Sequence, residues 1–175
     1  QFLAKVLLLP ALYMHFFIEH NLGHHRNIGT PEDPATARKN QSVYHFWFTS
    51  IIGQIRSAYQ IQKRWLENNQ KGFWSLDNQL LLFLSVQSGY LLLLVVLLGP
   101  QGLIFGLLIA LVGVLLLETI NYIEHYGLAR KKVNDRYERI TPAHSWNSNH
   151  VIGRMVLYEL TRHSDHHHRA SKKYQ

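Results

Sequence analysis

The 175-residue chain carries 18 Lys and Arg against 11 Asp and Glu, a formal charge of +7, with 12 histidines and no cysteine. The length suits a single domain, and the lack of cysteine excludes disulfides, thiolate zinc sites, cysteine-ligated iron–sulfur clusters and thiol nucleophiles. The placement of the basic charge argues against nucleic acid: seven Lys and Arg lie between residues 21 and 79, ten lie beyond residue 120, and residues 78–117 have none.

Residues 1–18 are apolar but interrupted by Lys5, Pro10 and His15. They read as the end of a membrane helix that runs, by residue 25, into a first histidine cluster. There is no initiator Met, basic leader or small-residue cleavage site, so the start is not a signal peptide, and the chain is expected to be a piece of a longer protein. The cluster is Glu19-His20-Asn21-Leu22-Gly23-His24-His25. On an α-helix His20 and His24 share a face. His25 sits about 100° round from His24, an offset that lets adjacent histidines address two different metals.

Residues 26–79 form a polar segment expected on the cytoplasmic side. Thr30-Pro31-Glu32-Asp33 has the composition of a helix start. From Val43 to Leu66, eight aromatic and branched residues (Tyr44 to Tyr59) interleave with Arg56, Lys63 and Arg64. This suits a helix lying at a membrane surface or, equally, the core packing of a cytoplasmic helix.

Residues 80–120 contain no charge until Glu118. Leu80–Leu98 and Leu103–Leu117 are apolar runs separated by Gly99-Pro100-Gln101-Gly102, a strong turn signal. A helix of about 20 residues crosses a hydrocarbon core of about 30 Å, so a transmembrane hairpin is expected; the alternative is a buried hairpin in a soluble protein. Lys and Arg concentrate on the cytoplasmic side of membrane proteins. That rule puts both basic segments there, the turn on the other side, and all the histidine clusters on one face. The expected fold class is all-α: a polytopic membrane helix bundle with a cytoplasmic, histidine-rich di-metal site.

Residues 121–175 hold the remaining clusters, Glu124-His125 and Arg162-His163-Ser164-Asp165-His166-His167. His163, His166 and His167 have the i, i+3, i+4 spacing that shares a helix face. Imidazole is the commonest neutral metal ligand, and a lone zinc takes about three or four protein ligands. Seven candidates (His20, His24, His25, His125, His163, His166, His167) therefore point to two metals sharing a site. Solvation at a membrane surface explains one histidine pair but not two triplets. Glu19, Glu124 and Asp165 each adjoin a candidate. At least one of them is expected to take the second N–H of a ligand ring, which fixes its tautomer; direct metal binding, as in di-iron bundles, is the competing option. His15, His45, His144 and His150 are assigned packing or supporting roles, His15 with the further option of lining the site.

Four motifs in order carry a family resemblance. They are His20-Asn21-Leu22-Gly23-His24-His25 with Thr30-Pro31-Glu32-Asp33-Pro34-Ala35, then Asn121-Tyr122-Ile123-Glu124-His125-Tyr126-Gly127-Leu128, then His144-Ser145-Trp146-Asn147-Ser148, then Arg162 to His167. From about Ile18 to Gln175 the chain resembles the integral-membrane alkane 1-monooxygenases, a branch of the membrane fatty-acid desaturase and hydroxylase group. The resemblance implies two Fe ions held by the seven histidines named above, and leaves out His168. It also implies a further box, His-Glu-x-x-His, upstream of Gln1 and supplying two more ligands, so that this chain alone is inactive.

The implied reaction is O₂-dependent hydroxylation of a medium- or long-chain alkane to a 1-alkanol in a bacterial cytoplasmic (inner) membrane, with the clusters facing the cytoplasm. Phe16, Phe17, Leu115 and Leu116 either line the alkane's path from the lipid bilayer or simply pack. Without cysteine, and without a Gly-x-Gly-x-x-Gly fingerprint, electrons must arrive from a partner. The resemblance implies rubredoxin, served by its reductase. The basic run Arg130, Lys131, Lys132, Arg136 and Arg139 either docks that acidic donor or only enforces topology. The alternatives are a membrane di-iron acyl-chain desaturase or hydroxylase, a xylene monooxygenase-like enzyme, and a non-enzymatic metal-binding membrane protein. The last would want polar residues at mid-membrane depth, where the hairpin offers only Ser85, Gln87 and Ser88.

Overall fold

The computed structural model describes residues 2–156 and 161–168. Helix α1 (Phe2–Leu8) ends where Pro10 removes a backbone donor, and Leu12 turns the chain at φ +50°. The apolar start is thus not one continuous helix. It resumes as α2 (Phe16–Glu19), a π-helical turn over His20–His24, and α3 (His25–Asn27). Lys5 lies 4.6 Å from the Phe17 ring and 5.3 Å from the Phe83 ring, so the charge that interrupts this segment rests on aromatic faces.

Residues Thr30–Asp33 do not start a helix. Pro34 disfavours helical backbone at Asp33, and the Asp33 side chain instead closes a local turn, accepting from the Ala35 amide (3.0 Å) and the Thr36 hydroxyl (2.5 Å). The next helix, α4, is Val43–Asn68, opened by the Ser42 hydroxyl accepting from the His45 amide. It buries Phe46, Ser50, Gln54, Ala58, Gln62 and Leu66, one residue every fourth position, and leaves Tyr44, Phe48, Ile52, Ile55 and Tyr59 exposed. Core packing and an outward apolar face coexist on one helix.

Asn78 opens α5 (Gln79–Leu98) by accepting from the Leu80 and Leu81 amides. Gly99, at φ +68°, is the whole of the turn, and α6 (Pro100–His125) begins at once with Pro in its first turn. Gly102 belongs to the helix: a Cβ there would collide with the Leu94 carbonyl, and at Gly106 it would meet Leu94 Cδ1 at 2.6 Å. Small residues thus let the two helices touch backbone to side chain, as membrane helix pairs do. Mean hydropathy is 2.4 for α5 and 2.7 for α6, both long enough to cross a bilayer, and most of their apolar side chains face outward. Sparse burial on so apolar a hairpin matches lipid contact rather than the inside of a soluble core.

Helix α6 runs past residue 120 to His125, so the second cluster stands on the helix end itself. Beyond it come a two-residue ribbon, β1 (Lys132–Val133) against β2 (Arg136–Tyr137), and a 3₁₀ turn, Pro142–His144. Two short helices follow, α7 (Val151–Val156) and α8 (His163–His168). Among the described residues the apolar core is Met14, Ile18, Ala58 and Phe83, with Leu8, Leu9, Phe17, Ile61 and Leu80 packed round it. It fixes the α2 segment against α4 and α5, just below the first cluster.

Candidate metal centre

The seven histidine side chains come together from three places: the π turn and α3, the end of α6, and α8. They form two groups, His24, His125, His163 and His167, all buried, and His20, His25 and His166, half-buried. Within each group one potential ligand atom per residue lies within 4.8 Å of every other.

The π turn decides this division. An α-helix would put His20 and His24 on one face, but the turn closes with the His25 amide reaching the His20 carbonyl, an i to i+5 bond. His20 therefore faces His25, Nε2 to Nε2 at 3.1 Å, and His24 turns to the other group, its Nε2 3.3 Å from His167 Nε2. Gly23 makes room for the widened turn. A Cβ there would stand 2.5 Å from Glu19 Oε1 and 3.1 Å from Ser57 Oγ of α4. Gly23→Ala is expected to push the π turn off α4, destabilise the protein by about 1–3 kcal/mol and release metal from the His20 group. Thermal melting and metal content check this, and an unchanged pair of values would refute it.

The remaining Nε2 contacts are His125 to His163 at 3.0 Å, His163 to His167 at 2.6 Å, and His25 to His166 at 3.1 Å. A proton serves one such pair at a time. Nitrogens on a tetrahedral metal at about 2.0–2.1 Å lie about 3.3 Å from one another, close to the spacing seen. Nδ1 of His20, His163 and His167 is buried with no hydrogen-bond partner among the described residues. One proton per pair leaves the other facing Nε2 lone pairs unmatched, whereas a cation facing several of those Nε2 atoms satisfies them together. The donor set fits a pair of metals that favour imidazole. Burial, then the neighbouring imidazoles, hold His163 and His167 well below the usual histidine range, which keeps their lone pairs free at neutral pH.

His24 has a carboxylate behind it: its Nδ1 lies 2.9 Å from Asp33 Oδ2, with both side chains buried. Burial raises the Asp33 carboxyl, but His24 and the Thr36 hydroxyl outweigh it and hold the group below the usual carboxylate range. Asp33 was missed in the sequence, where its motif reads as a helix start. The signal available was a carboxylate within ten residues of a ligand, flanked by prolines that bar a helix.

The acidic residues singled out by adjacency take different places. Glu19 is fully buried and accepts from Ser57 Oγ at 3.3 Å, against Gly23. Glu124 Oε2 lies 3.3 Å from His163 Nε2, on the ligand-atom side of that ring. The Asp165 side chain lies outside the described residues. His144 closes its own 3₁₀ turn with Thr141 and meets Glu138 Oε1 at 3.3 Å. In the same motif the Trp146 amide donates to the Glu124 carbonyl (2.7 Å) and its indole to the Tyr126 carbonyl (2.9 Å). The motif thus caps the carbonyl end of α6 beside His125. Of the residues considered for an alkane path, Phe16 stacks on His20 at 4.8 Å, Phe17 joins the apolar core, and Leu116 is 61% exposed.

A two-part histidine cluster that could hold metal thus stands at the end of a helical hairpin long and apolar enough to cross a membrane. The chain belongs to the fatty acid desaturase family, whose profile matches residues 1–175. It is 43% identical to the alkane 1-monooxygenase of Pseudomonas putida over 176 residues, covering all of this chain and 44% of that protein. With alkane 1-monooxygenase 1 of Alcanivorax borkumensis the identity is 44%, with the same coverage. With the xylene/toluene monooxygenase hydroxylase component XylM of Pseudomonas putida it is 28% over 150 residues, 86% of this chain and 40% of that one. The chain spans less than half the length of these curated relatives.

Proposed function

We propose that this chain carries most of the metal-binding part of an oxidoreductase that uses O₂ to hydroxylate the terminal methyl of a medium- or long-chain alkane. The observation that carries the proposal is the convergence of seven imidazoles into two facing groups on a membrane-length hairpin, together with the identity to alkane 1-monooxygenases. His24, His125, His163 and His167 would hold one iron. His20, His25 and His166, only half-buried, would hold the other together with two ligands contributed from outside this chain. When bound, the irons supply the redox chemistry by which alkane, O₂, two electrons and two protons give 1-alkanol and water.

The chain's own residues set the conditions. Asp33 accepts a hydrogen bond from the Nδ1–H of His24, which directs the Nε2 lone pair of that ring toward the metal. Phe16, stacked on His20, puts an apolar ring beside the half-buried group and keeps water from that edge. An alkane partitions into the bilayer, and the outward apolar faces of α5 and α6 place the site within its reach. The clusters are proposed to face the cytoplasmic side of a bacterial inner membrane, a reading supported by the basic charge of the segments on either side of the hairpin.

Electrons are proposed to come from rubredoxin. Lys131, Lys132, Arg136 and Arg139 are exposed and available to an acidic donor. Arg130 is less so, since its guanidinium donates to the carbonyls of Arg26 (3.1 Å), Ile28 (3.4 Å) and Glu138 (2.8 Å). The test is turnover by the full-length protein in detergent, loaded with ferrous iron and supplied with O₂, an alkane, rubredoxin and its reductase. A primary alcohol is expected, at a rate that falls as salt rises. A modified acyl lipid as the sole product would replace this reading with the acyl-chain one, and a salt-independent rate would remove the docking surface.

A further inference from the structure

A second polar cluster lies inside the membrane-length part of α6, apart from the histidines. Glu118 is fully buried. Its Oε1 accepts from the Tyr13 hydroxyl (3.0 Å) and the Gln54 amide (2.9 Å), and its Oε2 from the Ser50 hydroxyl (2.6 Å) and the same Gln54 nitrogen (3.0 Å). Gln54 also donates to Ser50 (2.8 Å), and all three partners are buried. A carboxylate is costly at this depth, and ionisable residues inside membrane segments are seldom without a role.

These donors come from two places. Tyr13 lies on the segment leading into α2 and the first histidine cluster, and Ser50 and Gln54 lie on α4. The next residue of α6 is tied to α4 again, by Trp47 Nε1 donating to Thr119 Oγ1 (3.1 Å), and one turn beyond Glu118 the Tyr122 hydroxyl donates to the Gln41 carbonyl just before α4 (2.6 Å). Glu118, Asn121 and His125 stand at i, i+3 and i+7 on one buried face of α6, so whatever fixes the rotation of the helix at Glu118 fixes it at His125, about 10 Å further on. A slip of one residue would swing His125 through about 100°, away from His163 at 3.0 Å.

We infer that Glu118 is a positioning residue: by joining the Tyr13 segment and α4 to α6, it sets the rotation at which His125 meets His24, His163 and His167. The inference rests on the metal-centre reading above, and it makes the four-histidine group, not the three-histidine one, the part that depends on Glu118. Gln54 Oε1 has no hydrogen-bond partner among the described residues. A glutamine at 118 keeps the size of the side chain, and turning the Gln54 amide over gives it an acceptor.

The experiment compares the full-length wild type with E118A, E118Q and Y13F in detergent, reading iron per chain, the Mössbauer spectrum of the ferrous protein and thermal melting. The expected result is two irons in the wild type, about one in a folded E118A with one spectral component lost, two in E118Q, and an intermediate loss in Y13F. Two irons and an unchanged spectrum in E118A would overturn the inference. So would an E118Q that keeps both irons but loses all turnover, since that would make Glu118 a proton-handling group instead. If E118A does not fold, Y13F and S50A decide: unchanged iron and spectra in both overturn the inference, and a selective loss of one component supports it. A wild type that binds no iron refutes the metal-centre reading itself, a result distinct from any of these.

Discussion

Replacing His167 with alanine is expected to have the largest effect of any single substitution: loss of metal from both groups and no detectable hydroxylation. His167 stands at the centre of the cluster. Its ring centroid lies 4.2–6.2 Å from those of all six other candidate ligands, and its Nε2 faces both His163 and His24. Alanine removes a ligand and opens a space between the two groups that water can enter. The loss in metal affinity should exceed the roughly 10- to 100-fold typical when only a ligand's hydrogen-bond partner is removed. Metal content after desalting, with circular dichroism to show that the helices remain, makes the measurement. A His167→Ala protein that retains both metals would show that the rings meet for packing alone.

The second large effect is expected at Asp33, and it separates two roles of one side chain. Asp33→Ala leaves the His24 Nδ1–H, the Ala35 amide and the Thr36 hydroxyl without their acceptor in a buried place. At about 1–3 kcal/mol for each buried group left unsatisfied, with relaxation recovering part, the fold should lose on the order of 3 kcal/mol. Asp33→Asn keeps the shape and an oxygen for the turn, but it can present an N–H donor to His24 Nδ1. The ring would then carry its proton on Nε2, the atom that faces the other histidines, as happens to a catalytic histidine when its aspartate becomes asparagine. The expectation for Asp33→Asn is a near-native melting temperature with metal affinity at the four-histidine group about 10- to 100-fold weaker. Equal affinity in the wild type and Asp33→Asn would refute the tautomer argument.

The parts legible in the sequence are those written in local pattern. The apolar hairpin was readable because 40 residues without charge leave little alternative, and Gly99-Pro100 marks the reversal, although the turn shrinks to Gly99 and Gly102 becomes a packing contact. Which histidines to suspect was also readable, since they fall in tight clusters beside that hairpin. Their division into two groups was not. It depends on a π turn, and an i, i+4 rule applied to His20 and His24 predicts the opposite pairing. Glu118 was illegible for a related reason: a buried carboxylate is recognised by what surrounds it, and its partners lie 64 to 105 residues away along the chain, whereas Asp33, with partners within nine residues, was hidden by a motif that reads as a helix start. The Trp146 motif carried a resemblance but no mechanism until its amide and indole were seen to cap the end of α6.

The account stands or falls on whether the seven histidines hold two metals. The direct measurement is metal content and Mössbauer spectroscopy of the full-length protein, purified in detergent and loaded anaerobically with ferrous iron. Two irons per chain, in two ligand environments rich in nitrogen, is the predicted result. A well-folded protein holding a single zinc, or no metal at all, would contradict it.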